Sequence, residues 1–277
     1  MKHRILIFVL LLICGISLPS LSGLLIPPFS TVPVNYVVVY AAALSAIFLS
    51  ASLILRKQLQ DYFQIFFAFF IASLAILFDL LVNIPANTET SLALDMLAST
   101  SIVVGTILIL SRVSGNRFGS IFLKKGNLKL GLILGFAGFF FFALTAIPAA
   151  QYLFQGQNLS IDKVIAWLPW ILPIVLLNGI REELLYRGLF LKKFVPKLGA
   201  RTSNFLQAII FSLSHSVAGL GFSAYTPYIL ALVAFTFSLG LIWGYIMQRT
   251  DTIIGSTLFH AGSDIPVFIG IFSNLFS

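Results

Sequence analysis

Residues 180–190 read Ile-Arg-Glu-Glu-Leu-Leu-Tyr-Arg-Gly-Leu-Phe and close an apolar run that begins near residue 164. Two adjacent carboxylates and two arginines sit at the end of a stretch that, at about 20 residues, is long enough to cross the hydrocarbon of a bilayer. Only nine Asp and Glu occur in the 277 residues, so this is the densest acidic point of the chain. A charge at mid-bilayer costs about 2.5–3.5 kcal/mol on insertion scales, and such groups are functional candidates by default. On a helix, Glu183 and Arg187 are four apart, share a face and suit an ion pair. Glu182 points about 100° around from Glu183. One carboxylate is then tied to a cation while its neighbour is left free. The competing reading is a helix end at the membrane surface, with its charges among lipid headgroups.

The rest of the chain is built like this stretch. Hydrophobic residues make up 59% of it and charged residues 9%, with a mean hydropathy of +1.03. A soluble domain carries about 25% charged residues. The expected fold is all-α, a polytopic transmembrane helical bundle with the lipid bilayer as its partner and no sizeable soluble domain. The net charge of +8 does not point to nucleic acid, because no basic face with interleaved aromatics is present. The single Cys14 excludes an intramolecular disulfide or a multi-cysteine metal site.

Apolar runs near 5–26, 35–55, 62–82, 92–111, 128–150, 164–186, 203–219, 226–248 and 252–275 give about nine spans. The cations fall in alternate connections. Lys2 and Arg4 precede the first span, and Arg56 and Lys57 follow the second. Arg112, Arg117, Lys124, Lys125 and Lys129 lie between the fourth and fifth. Lys192, Lys193, Lys197 and Arg201 lie between the sixth and seventh, and Arg249 between the eighth and ninth. Lys163, beside Asp162, is the exception. Basic loops stay in the cytoplasm, so the N-terminus is expected there and the C-terminus outside. Should the first segment be a signal peptide cleaved near Ser20-Leu21-Ser22, eight spans remain with the same orientation. The division expected is four accessory spans over 1–127 and a five-span core over 128–277. Gly131/Gly135 and Gly240/Gly244 read as close helix packing rather than chemistry. Asp79 and Asp95 read as solvated or hydrogen-bonded span ends. Asn158-Leu-Ser160 matches a glycosylation sequon.

Three histidines occur. His3 is terminal and expected in solvent. His215 lies in the seventh span and His260 in the ninth, with Asp264 one turn after His260 on the same face. At 1.5 Å per residue, His215 is roughly 18 Å and His260 roughly 12 Å into its span from the cytoplasmic side. The depths of Glu182 and the histidines overlap if the sixth helix continues past Arg187, towards Lys192. A carboxylate against a low-dielectric wall can take a proton from water. A neutral imidazole can hold that water or donate to an oxyanion. Glu, His and His could also bind zinc, with Asp264 orienting a ligand. The helical His-Glu-x-x-His signature is missing, however, as is a nucleophile elbow. Ser214 and Ser263 border the histidines and are expected to bond back to their own helices.

Glu182-Glu183-x-x-x-Arg187, Phe211-x-x-x-His215 and His260-x-x-x-Asp264 stand in this order on three late spans. The set resembles the CPBP family of intramembrane glutamic endopeptidases, which includes type II CAAX prenyl proteases and bacteriocin-processing relatives. The resemblance covers roughly residues 128–275. It implies that Glu182 is the general base, that Glu183 assists it or pairs with Arg187, and that His215 positions the water. It further implies that His260 and Asp264 form the oxyanion hole, while Arg187 and Phe211 support the site. Asp264 stands where the pattern has Asn or Asp, and an ionised Asp cannot donate a hydrogen bond. The implied cofactor is none, with zinc the alternative. The implied substrate is a peptide or membrane protein, CAAX-type or otherwise membrane-associated, and the implied location is the inner (plasma) membrane. Two rival readings use the same residues: a non-catalytic scaffold or immunity protein, and an ion-coupled transporter. Against the transporter, no inverted repeat is evident.

Overall fold

Within a bilayer no water satisfies the backbone, so each segment must close its own hydrogen bonds, and helices result. The computed structural model describes residues 2–18, 34–56, 59–82, 84–222 and 226–276. Ser20-Leu21-Ser22 and Lys57 lie outside these residues, as does the His3 side chain. The helices are α1 (Lys2–Ser17), α2 (Val34–Leu55), α3 (Gln60–Leu80), α4 (Glu89–Val113), α5 (Leu128–Leu144) and α6 (Ala146–Leu153). They continue with α7 (Ile161–Glu182), α8 (Leu191–Leu198), α9 (Ala200–Phe222), α10 (Thr226–Thr250) and α11 (Ile254–Leu275). A π-helical turn, Glu183–Gly188, joins α7 to α8. No strand occurs among the described residues. Short polar side chains start several helices by accepting an otherwise orphaned N–H: Thr88 before α4, Asn127 before α5 and Ser160 before α7. Large apolar side chains such as Ile133, Phe140, Phe141 and Leu144 face outward, as a lipid-exposed surface requires.

The span count differs from the nine expected. Among the described residues, six helices are long and apolar enough to cross a membrane, or seven if α5 and α6, bent by 65°, form one span. Helix α1, at 16 residues, is short, and α9 is not among the six. The polarity of α9 is turned inward, onto α10. Asn204 Nδ2 donates to the Leu241 carbonyl at 3.0 Å, and Gln207 Nε2 donates to the Gly240 carbonyl at 3.0 Å. Gln248 on α10 reaches back to the Ala200 carbonyl at 3.1 Å. The two helices therefore run antiparallel along their length. Gly244 allows the contact, since a Cβ there would lie 2.6 Å from Gln207 Nε2.

One end of the bundle gathers the basic connections. Asp251, between α10 and α11, pairs with Lys124 and with Lys192 at 2.6 Å. Lys192 also donates to the Gly119 carbonyl at 2.6 Å. Partial burial alone would raise the Asp251 pKa, but the two ammonium groups hold its carboxyl below the usual carboxylate range. Lys197 lies over the Tyr62 ring at 4.5 Å, which brings the start of α3 to the same end.

The larger of two hydrophobic clusters among the described residues joins α2 and α3 to α8 and α9. Phe69 on α3 packs against Phe190 and Phe194 at ring distances of 4.7 and 6.2 Å. Residues on both sides of residue 127 share this core. Helices α5 and α11 lie side by side along a glycine stripe. A Cβ on Gly135 would sit 2.9 Å from the Gly255 carbonyl oxygen, and one on Gly255 would sit 2.7 Å from that of Gly131.

Candidate active site

Helix α7 delivers the carboxylates. Glu182 is its last residue and Glu183 opens the π turn, a widened geometry found often at functional sites. The turn is wholly buried and closes with Leu189 N donating to the Leu184 carbonyl at 3.0 Å. The expected pair forms inside it: Arg187 Nη1 donates to Glu183 Oε1 at 2.8 Å, with both side chains fully buried. The guanidinium also lies 4.0 Å from the centre of the Phe211 ring and 5.0 Å from that of Trp243.

The two histidines meet the carboxylates from α9 and α11. His260 Nδ1 is 2.9 Å from Glu183 Oε1. A carboxylate only accepts, so this nitrogen carries a proton. His260 Nε2 faces Glu182 Oε2 at 3.5 Å and Asp264 Oδ1 at 3.6 Å. His215 Nδ1 lies 3.0 Å from the Phe211 carbonyl, which makes it the donor and leaves Nε2 as the acceptor of a neutral ring. That Nε2 faces Glu182 Oε2 at 3.8 Å. Glu182 Oε2 has no hydrogen-bond partner. Ser214 and Ser263 bond back to the carbonyls of Phe211 and His260, at 2.6 and 2.7 Å, as serines in membrane helices do.

Of the residues singled out in the sequence, Glu182, His215, His260, Asp264 and Phe211 line one cavity of about 690 Å³. Glu183 and Arg187 lie behind it, fully buried, and reach it only through His260 and the aromatic rings. The cavity runs from this cluster along α10 and α11 to Phe154, Gln155, Asn274 and Leu275. These residues are at the ends of their helices away from the basic loops. The cavity therefore extends from a site near the basic end towards the opposite end. No group of three or more His, Cys, Asp and Glu among the described residues is arranged to hold a metal ion.

Four residues join the site without having been singled out. Trp243 stacks on His260, with ring centres 4.0 Å apart and planes 9° from parallel, and fixes the face of the imidazole. Asn178 Nδ2 donates to Asp264 Oδ2 at 2.8 Å. Arg181 donates to Asn178 Oδ1 and to Ser99 Oγ, both at 2.6 Å, and lies 3.7 Å from Glu182. The spacing Asn178-x-x-Arg181-Glu182 on one helix was a readable sign of a shared polar face. Trp243 and Ser99 carry no such sign.

This geometry defines a multi-pass helical membrane protein with a carboxylate–imidazole cluster at the head of an intramembrane cavity. Residues 164–265 match the family described as type II CAAX prenyl endopeptidase Rce1-like, and that stretch, which holds all three motifs, is similar to the CPBP/CAAX proteases. The match is narrower than the 128–275 expected and begins within α7. Comparison with curated proteins gave no match, and comparison with solved structures gave none either.

Proposed function

We propose that the protein is an intramembrane endopeptidase in which Glu182 activates water to hydrolyse a peptide bond, with no metal taking part. The observation that supports this most is the contrast between the two carboxylates. Glu183 is fully buried behind the cavity, its Oε1 shared by Arg187 and His260. Glu182 keeps an unpartnered oxygen that faces both imidazoles within 3.8 Å, at the wall of an open cavity. Separations of 3.5 and 3.8 Å are ones that a bridging water can span. His215 Nε2 accepts one hydrogen of that water, and Glu182 takes the other as the water oxygen adds to the scissile carbonyl. The carbonyl π pair becomes an oxyanion. When the C–N bond breaks, the proton on Glu182 passes to the leaving nitrogen.

The cavity walls are largely apolar, with Leu232, Phe235, Leu239, Val267, Phe268 and Ile271 among them. They suit a membrane-associated or CAAX-type lipidated peptide as substrate. The protein would lie in the inner (plasma) membrane with its N-terminus in the cytoplasm and its C-terminus outside.

The test is peptide cleavage by purified protein in lipid. A general base contributes about 10²–10⁴-fold, so Glu182→Gln should lose at least 10²-fold with its melting temperature unchanged. Cleavage that a chelator abolishes and zinc restores, together with stoichiometric zinc by elemental analysis, would keep the peptidase and overturn the glutamic mechanism. A Glu182→Gln protein that cleaves at the wild-type rate would overturn the base assignment.

A further inference from the structure

An acyl-transfer site needs a hydrogen-bond donor at the developing oxyanion, and Asp264 is poorly placed to be one. Its Oδ2 accepts from Asn178 at 2.8 Å and its Oδ1 faces His260 Nε2 at 3.6 Å. The one hydrogen bond that this carboxyl makes among the described residues is one it accepts. Asn178 has the opposite arrangement. Its Oδ1 takes Arg181 Nη2 at 2.6 Å, and a guanidinium has no lone pair to offer. The amide orientation is therefore dictated by chemistry: oxygen towards Arg181, NH2 towards Asp264. Arg181 is itself fixed by Ser99 on α4, at 2.6 Å. An NH2 group has two hydrogens, and Asp264 takes one of them. Asn178 lines the same cavity as Glu182, His215 and His260.

Resting on the peptidase reading above, we infer that Asn178 supplies the amide donor to the oxyanion. Arg181 is the positioning residue that sets the amide's direction, and Asp264 is the acceptor that aligns the amide. The chain then keeps an amide and a carboxylate in its site, with the amide carried on α7 instead of α11. Ser99–Arg181–Asn178–Asp264 forms one hydrogen-bonded chain across α4, α7 and α11. Through it, α4, which lies outside the matched stretch, orients a reacting group.

The experiment uses the full chain in lipid with two probes: a farnesylated CAAX-type peptide, and the same peptide with a phosphinate in place of the scissile amide. The phosphinate carries its negative oxygen where the oxyanion develops, so it reads the donor directly. Removing one oxyanion donor costs about 10²–10³ in kcat. Asn178→Ala should lose that much in kcat with KM for the amide peptide unchanged, and should weaken phosphinate binding by at least about tenfold. Asn178→Leu, closer in volume, repeats the measurement should the alanine variant fail to fold. Arg181→Met should also lose kcat without changing KM. Arg181→Lys, which still donates to Asn178 Oδ1, should recover at least tenfold of that loss. Equal weakening of amide-peptide and phosphinate binding would make Asn178 structural and overturn the donor role. Wild-type kcat in both Asn178 variants would overturn it too, while leaving the peptidase reading in place. A wild-type protein that neither cleaves the peptide nor binds the phosphinate would remove the peptidase reading and this inference with it.

Discussion

Arg187 is fixed by Glu183 at 2.8 Å and by two aromatic rings, Phe211 at 4.0 Å and Trp243 at 5.0 Å. Removing one member of a buried pair costs about 3–5 kcal/mol, because the other charge is left without compensation. Arg187→Ala should therefore lower folded yield and melting temperature along with activity. Arg187→Lys keeps the charge but loses the planar face that stacks on the rings, and should fall between the two. A normal melting curve with abolished activity in Arg187→Ala would assign the guanidinium to the chemistry instead. The pair itself was legible in the sequence because it is local: four residues on one helix fix the geometry. The same is true of Asp264 one turn after His260. Trp243 was not legible, because its contact with His260 comes from the packing of α10 on α11, and no spacing along the chain encodes that.

Helices α5 and α11 show how an element carries a cavity-lining group to its place. His260 stands five residues after Gly255, on a helix whose approach to α5 depends on missing side chains. A Cβ on Gly255 would lie 2.7 Å from the Gly131 carbonyl oxygen and 2.9 Å from the Gly131 Cα, and this backbone cannot swing aside. Overpacking of this kind costs about 1–3 kcal/mol. Gly255→Ala should accordingly lower both the melting temperature and the cleavage rate. Gly105→Ala on α4, where a Cβ meets nothing within 4 Å, should change neither. A wild-type melting temperature in Gly255→Ala would show that the stripe does not set the helix spacing. Small residues one turn apart announced the packing of α5 and of α10, but not their partners. The partners α11 and α9 are tertiary facts. The π turn after Glu182 was hidden for another reason: helical periodicity is read with one fixed pitch, and a local widening leaves no mark in it.

At the scale of the whole molecule the basic loops and the contacts between helices determine the topology together. Asp251 ties the α10–α11 connection to Lys124, ahead of α5, and to Lys192, at the start of α8. Lys197 adds the start of α3 through Tyr62. Four connections far apart in sequence thus meet at one end. Between Leu198 and Asp251 the chain leaves this end along α9 and returns along the antiparallel α10, so α9 traverses the bundle. Helix α1 runs beside α9 in the same direction. Phe8 packs on Phe205, with ring centres 6.5 Å apart, and Gly15 approaches Ile210. Its first turn therefore lies at the basic end as well. Helix α11 leaves that end with Ile254, and its last turns lie near Phe154 and Gln157, where Gln157 N donates to Ser273 Oγ at 3.1 Å. The C-terminus is thus opposite the cations. Nine apolar runs and alternating charge imply a chain that crosses back and forth, and the helix contacts agree with the charges on direction. Because Lys and Arg are retained on the cytoplasmic side, a phosphatase fused after Ser277 should be active and a fluorescent protein at the same place dark, with the reverse for fusions in the 192–201 connection. A C-terminal fusion that reports only from the cytoplasm would invert the orientation, and the cavity, which runs from Glu182 towards Asn274 and Leu275, would then open inward.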